Sequence, residues 1–397
     1  MKLFNSRLMI AVLAVLVLGG TLAACGGSSD SSPETSSNTS EAESKGGADS
    51  ASAALKSAEE FVQPLTEHPS PFPVTEPLKE LPPDGTTIDF LELPNPVAAI
   101  EWVQIQEAAQ AMGVNVKRVR AGEGAQGISS AMDTIVSEKP DGVVIVAVDP
   151  VQISTQLKEL QEANIPIASS SISTPDAEKY GLEHISYGHD DAKLAGELDM
   201  AWLFANSEGK NKNYVFYSLP EFAFSVPNEE GAKAKLAELC PDCELRVVPI
   251  KASELGNKAP ATIVSDLQAH PETEASVLSA DSIQEGLPVA LNAAGLELEA
   301  LGPGPIPQNI LQIQEGTQTA ALGIDLGTQI WTLVDQIARE IAEQKQTGAE
   351  ARGEIVKQFL THENAKEQDA SKGFLPYPEF EERFTKLWHG EPWPGGK

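Results

Sequence analysis

Three short stretches of this 397-residue chain carry residue types that could do chemistry. In "AGEGAQG", Gly122, Gly124 and Gly127 stand in G-x-G-x-x-G spacing between a strand-like and a helix-like segment, and Asp149 ends the next strand-like run. Such glycines let a backbone approach a pyrophosphate at a helix N-terminus, with the acid placed for a ribose hydroxyl. Against a dinucleotide site, another strand–helix unit precedes this one. In "HISYGHDD", His184, His189, Asp190 and Asp191 are of metal-ligating types. Histidines five apart in a non-helical stretch need not converge, so a structural turn is the preferred reading. In "LCPDCE", Cys240 and Cys243 follow a helix-like segment and precede a strand-like one. In an exported chain a disulfide clipping that turn is the leading reading. The same spacing suits a thioredoxin-type redox pair, and zinc would need two further ligands that the sequence does not offer. Neither G-x-S-x-G nor H-E-x-x-H occurs, and none of the six histidines has a recognisable nucleophile partner. The expectation is a non-enzyme with no cofactor and no metal.

The elements that must position these residues are legible as periodicity. Lys2 and Arg7 flank an eleven-residue apolar run, "LMIAVLAVLVL" at 8–18. A helix needs about 20 residues to cross a membrane, so the run reads as an export signal, assigned to 1–24. Residues 25–51 are mostly Ser, Gly, Ala, Asn, Glu and Asp and read as a disordered tether, because they cannot bury enough apolar surface to offset ordering entropy. Residues 52–85 read as a short amphipathic helix followed by a proline-rich extension. From residue 86, strand and helix alternate twice over. "DGVVIVAVDP" is apolar without alternation from 143 to 148, as in a parallel strand covered on both faces. After "HISYGHDD" the alternation restarts with "NYVFYSLP", "LRVVPI" and "ASVLSAD" as strands. The fold class is therefore α/β: two doubly wound, Rossmann-like lobes. The chain has 28 basic and 58 acidic residues, a formal charge of −30, which makes nucleic acid a poor partner.

The run from Gly113 to Ile167, with "LQAHPETEASVLSADSIQEGLPVALNAAGLE" further on, resembles the type I periplasmic solute-binding proteins, sugar-type receptors of ABC importers related to the LacI core. "LAAC" at 22–25 resembles the bacterial lipobox. The second resemblance implies cleavage before Cys25, lipid on its sulfur, and mooring to the outer face of the bacterial cell membrane. The first implies a three-segment hinge. On that reading 86–188 with 327–353 form the N-terminal lobe, and 189–326 with 354–397 form the C-terminal lobe and tail. "LTHENA" at 360–365 resembles the third crossing. Solute would lie between the lobes, the closed form would dock on a permease, and the chain would act as a monomer. A sensor subunit for a histidine kinase or chemoreceptor, and an extracellular enzyme on the same scaffold, are the alternatives.

The resemblance also implies binding positions. Asn95 and Pro96 match the family's motif after the first strand, but Val97 and Ala98 stand where sugar binders carry aromatics. The Asp-Arg pair that grips sugar hydroxyls aligns with Ser171 and Ile172, and an arginine before a helix glycine aligns with Asn228. Asp281 matches the cleft aspartate, and Asp325 stands where a glutamine is common. Without the arginine forks, grip on vicinal hydroxyls or carboxylates is lost. Phe222 and Phe224 in "SLPEFAFSV" offer a replacement wall, and Trp102 either reaches the cleft mouth or is core. The expected ligand set is Asn95, Asp149, Ser171, Phe222, Phe224, Asn228, Asp281 and Asp325. The expected solute is a sugar, or a less polar molecule bearing a hydroxyl or amine.

Overall fold

Apolar strands that alternate with amphipathic helices can bury both sheet faces only by winding helices over each side. The computed structural model of the chain, which describes residues 40–69, 71–182, 184–346 and 355–391, shows this arrangement twice. The expected signal segment and Cys25 lie outside those residues. In the N-terminal lobe, β1 (Thr87–Glu92), β2 (Asn115–Arg120), β3 (Gly142–Val146), β4 (Ile167–Ser170) and β5 (His184–Ser186) form a parallel sheet in the order β2-β1-β3-β4-β5. Its helices are α2 (Pro96–Met112), α3 (Gly124–Glu138) and α4 (Ser154–Glu162). Ile88 of β1 sits opposite both Val116 and Gly142, which centres β1 in the core.

The chain then crosses through Tyr187 and Gly188 into α5 (His189–Asn206) and a second parallel sheet. There β6 (Asn213–Ser218), β7 (Glu244–Pro249), β8 (Ala275–Leu278) and β9 (Glu299–Leu301) run in the order β7-β6-β8-β9. The helices of this lobe are α6 (Ser225–Leu239), α7 (Ala259–Ala269), α8 (Leu287–Ala294) and α9 (Pro307–Glu315). α5 and α6 pack backbone against backbone. A Cβ on Gly196 would lie 1.9 Å from the Asn228 carbonyl oxygen, and one on Gly231 would lie 1.9 Å from that of Lys193. Cys240 and Cys243 are joined as a disulfide at the turn from α6 into β7.

β10 (Ala320–Ile324) leads into α10 (Leu326–Ile341), which returns to the N-terminal lobe, and β11 (Lys357–Thr361) pairs antiparallel with β10. Leu322 of β10 also bridges Pro303, just past β9, so this pair belongs to the C-terminal lobe. The third crossing therefore precedes β11. "LTHENA" begins at the end of β11 and does not itself cross, a correction to the expected position.

The two ends of the folded body differ from expectation too. α1 spans Ser40–Val62, starting inside the stretch read as tether. Its Ala58 and Val62 are buried with C-terminal-lobe residues such as Leu236. The proline-rich extension then reaches the other lobe, where Phe72, Val74 and Leu78 join Phe90 and Ile337. The C-terminal segment takes a similar course. Ala370 and Phe374 pack with Ile310 and Ile313, whereas α11 (Phe380–Trp388) packs on α10 of the N-terminal lobe. Phe380, Phe384, Leu387 and Trp388 form one apolar stripe at helical spacing, which a tail confined to the C-terminal lobe could not bury here.

These two straps meet. Phe72 makes edge contacts with Tyr377 at 5.2 Å and with Phe384 at 5.4 Å, and the Leu78 amide donates to the Leu387 carbonyl at 2.8 Å. Beneath them lies a buried ion pair in which Arg339 Nε donates to Asp335 Oδ2 at 2.5 Å. Trp388 Nε1 donates to the other Asp335 oxygen at 2.6 Å. Arg339 Nη2 donates to the Glu76 carbonyl at 2.7 Å. One carboxylate thus ties α10, α11 and the proline-rich extension together. Among the described residues no helix is long and apolar enough to cross a membrane.

Candidate functional site

In open parallel sheets, ligands meet the loops beyond the carboxyl ends of the strands. Here the carboxyl ends of both sheets face one cavity of about 90 Å³. From the N-terminal lobe, Ala147, Ser171 and Tyr187 line it, each the residue immediately after β3, β4 and β5. All three hold left-handed backbone, with φ of 61°, 60° and 54°. For non-glycine residues this conformation costs roughly 1–2 kcal/mol apiece. Three strained residues at three adjacent strand ends mark a surface whose shape is held against local preference. Leu219 and Ser279 line the cavity from the C-terminal lobe, just past β6 and β8.

Four of the eight positions expected from sequence come together here: Asn95, Ser171, Phe222 and Phe224. Asn95 caps α2, its Oδ1 accepting from the Ala98 amide at 2.9 Å, which fixes the helix start at the cavity. Phe222 and Phe224 stack with centroids 5.7 Å apart and planes 7° from parallel. Serine at 225 accounts for part of that pose, since its hydroxyl accepts from the Leu219 amide and closes the loop.

The other four line no part of the cavity, each for a local reason. Asp149 accepts from the Val151 amide at 2.9 Å and from Thr174 Oγ1 at 3.0 Å, so it ties two loops together beside the site. Asn228 is buried where α5 meets α6, donating to the Ala192 carbonyl at 3.4 Å. Asp281 is fully buried and accepts from Gln284 at 2.6 Å and Gln318 at 2.8 Å. Burial outweighs those two hydrogen bonds and pushes its pKa up to about 7. Asp325 caps α10 through the Thr328 amide at 3.0 Å, and burial pushes it up to about 6. Their chain neighbours, Ser282 and Leu326, line the cavity instead. Trp102 stacks on Phe90 at 6.3 Å under the Arg118 guanidinium, in the core of its lobe. His184 meets Glu340 at 3.2 Å and His189 meets Asp190 at 2.8 Å, so the two histidines turn to separate partners.

Residues that sequence reading missed complete the lining. Glu101 is 7 % exposed, on α2. It stands four residues after Val97, so the two share a helix face, and that spacing was the available signal. Burial and the nearby Glu92 carboxylate push Glu101 up to about 7. Glu92 itself is held below the ordinary range by Arg118 and Arg120, although burial works the other way. Tyr187 and Ser279 are buried, and neither hydroxyl has a hydrogen-bond partner within the protein. Gln329, from α10, donates to Ser170 at the floor. Among the described residues no lysine, arginine or histidine lines the cavity.

Two other concavities frame the site. A depression of about 300 Å³ shares Leu93 and Phe222 with it and is edged by Gly122 and Gly124. A Cβ on Gly127 would lie 2.3 Å from the Gly122 carbonyl carbon, so the glycine spacing serves a tight strand-to-helix turn. The largest, about 1230 Å³, opens at the opposite edge of the N-terminal sheet, around Gly85, Asp141 and Pro166. It lies at the amino ends of the strands, away from where such folds bind ligands.

Comparison with known proteins gives a consistent family and fold. A family model, the periplasmic binding protein domain, matches residues 93–345. A search of curated proteins finds no match. Among solved structures, the 5-methylthioribose transporter solute-binding protein of Thermotoga lettingae, in complex with 5-methylthioribose, is 16% identical with a TM-score of 0.63. The match covers 77% of this chain and 99% of that one. An ABC transporter periplasmic solute-binding protein of Actinobacillus succinogenes with bound D-allose is 19% identical, covering 71% and 100% with a TM-score of 0.60. A carbohydrate transporter of Acidothermus cellulolyticus in complex with myo-inositol is 17% identical, covering 76% and 99%, again at 0.60.

Proposed function

The chain belongs to the periplasmic binding protein family, and from that premise we propose that it is an extracytoplasmic solute receptor whose lobes enclose a small organic molecule for an ABC importer. The observation that carries this is the cavity at the carboxyl ends of both sheets, lined from both lobes and edged by three left-handed residues. Each lobe supplies half of a wall, so a ligand that touches both favours the closed arrangement by its differential affinity alone. Tyr187 and Leu326 line the cavity and also stand at the first and second crossings. Contact with solute is therefore contact with the hinge, and the closed pair of lobes is the form a permease would recognise.

Among the described residues the cavity offers polar groups that can bind a small molecule, Asn95, Glu101, Ser171 and Gln329 among them. Solved relatives are described with D-allose and myo-inositol bound, and a solute of similar size is expected here. Lipid on Cys25 would moor the receptor to the membrane carrying its permease, and residues between Cys25 and α1 would let it swing.

Native mass spectrometry of protein purified without refolding tests this reading. One bound small molecule, recovered unchanged after denaturation, supports it. Recovery of a chemically altered product would point to catalysis. For the anchor, a Cys25→Ala chain should leave the membrane fraction; its retention there with full solute uptake contradicts the mooring role.

A further inference from the structure

The cavity also specifies a class of solute, an inference that rests on the receptor reading above. Hexose sites need a dense set of paired donors and acceptors, because each hydroxyl stripped of water must be repaid with a hydrogen bond. This cavity leaves few of its polar groups free for that, because Asn95, Ser171 and Gln329 bond within the protein. Its walls are mainly aliphatic and aromatic, with Val97, Leu219, Leu255 and Ile324 among them. No cation among the described residues lines it, so an anionic solute would meet no charged partner from them. At about 90 Å³, it holds roughly six to nine water-sized groups, taking 10–15 Å³ for each.

Of the polar residues that line it, Asn95, Ser171 and Gln329 already hold partners within the protein, and Ser282 stands beside them. Tyr187 and Ser279 each bring a buried hydroxyl that the protein leaves unpartnered, and Glu101 brings one carboxyl. The stacked Phe222–Phe224 pair stands on the C-terminal side, and Phe224 is only partly buried. A flat ring can continue such a stack by the same offset geometry.

We infer that the solute is a single-ring aromatic molecule carrying one hydroxyl or amino group and no anionic group. Its ring continues the Phe222–Phe224 stack, and its polar group meets Glu101, Tyr187 or Ser279. A sugar loses on hydrogen bonds, and an aromatic carboxylate loses on charge.

Calorimetric titration of the full-length chain with p-cresol, tyramine, 4-hydroxybenzoate and D-glucose tests the inference. Binding of p-cresol or tyramine at least tenfold tighter than of the other two supports it. Phe224→Ala should then weaken the favoured probe at least tenfold, with an unfolding transition close to that of wild type showing that the chain still folds. Phe224→Tyr, which keeps a stacking ring, should retain most of the affinity. Tighter binding of D-glucose or 4-hydroxybenzoate overturns the solute class while leaving the receptor reading intact. Failure of all four overturns the class as well, and the receptor reading then stands or falls separately on whether a molecule co-purifies. Aromatic binding that Phe224→Ala does not weaken overturns the assigned stack.

Discussion

The inter-lobe cavity and the strap junction on α10 are both buried, yet they treat polar groups in opposite ways. At the junction, Asp335 is surrounded by donors: Arg339 and Trp388 both reach it, and Arg339 also holds the Glu76 carbonyl. In the cavity, the hydroxyls of Tyr187 and Ser279 have no protein partner. An unpartnered buried polar group costs roughly 1–3 kcal/mol, and the junction carries one too, the Trp331 indole N–H. What separates the regions is charge, since the junction pairs its carboxylate with Arg339 whereas no cation among the described residues lines the cavity beside Glu101. The junction is built to stay closed on itself, and the cavity is built to be completed by solute.

Both straps touch both lobes, which gives this chain two covalent paths across the cleft besides the three crossings. Their contacts with the N-terminal lobe meet at Phe72, Tyr377 and Phe384.

The largest expected effect lies at the junction. Trp388→Ala removes a side chain that stacks on Trp331 at 5.2 Å and donates to Asp335. It should cost about 3–5 kcal/mol, read as a lowered midpoint in denaturant. Asp335→Ala should cost a similar ~3–5 kcal/mol, because Arg339 would be left buried without its carboxylate. If either variant unfolds like wild type, the junction is not the closed unit described.

Next is the clip at Cys240–Cys243. Cross-linking so short a loop is worth about 2 kcal/mol in the chain-entropy model, so a Cys240→Ser, Cys243→Ser chain should melt lower by that amount while binding solute normally. Loss of binding would mean that this turn, at the far end of α6 from Phe224, reaches the cavity.

The buried acids give the smallest and most specific effect. Burial raises Glu101 and Asp281 to about 7, and Asp89 and Asp325 to about 6. Such groups keep a proton in the folded chain that the unfolded chain has already released. Their contribution is therefore present in full below about pH 4 and is lost as pH rises from there through 6 to 7. Paired acids such as Glu92 and Asp266 are lowered instead, so their contribution is lost only below the ordinary carboxylate range. Glu101→Gln should flatten the pH 5–8 slope by on the order of 2 kcal/mol at most. Glu92, paired with Arg118 and Arg120, is the charge that faces Glu101 and remains in that variant. An unchanged slope would show that Glu101 titrates normally and is not sealed in the cavity.

The contrast between the two regions also decides what could be read from sequence. Both parallel sheets were legible, because runs such as that at 143–148 are apolar on both faces and their helices repeat at helical spacing. β9 and α9 were not, since three strand residues beside "GPGPIP" look like a loop. The stripe on α11 is regular, but nothing local to it says which lobe it covers. At the site, residues chosen for their place beside strand ends came together when their role was shape, as with Asn95, Ser171, Phe222 and Phe224. Asp149 was read from its place at a strand end, and Asp281 and Asp325 from the family resemblance, but the fold spends their carboxylates on turns, glutamines and a helix cap. For Glu101 the only signal was its helix face shared with Val97, and one acid on a helix is ordinary until its neighbours are known.

The most direct test of the central claim is a crystal structure of the chain with p-bromophenol, whose bromine can be located by anomalous scattering. A solute site in the cavity puts the ring beside Phe224 and the bromine within the cavity at the para end, away from the phenol hydroxyl, which bonds to Glu101, Tyr187 or Ser279. A bromine peak only at the opposite edge of the N-terminal sheet, or none in the protein, would contradict it.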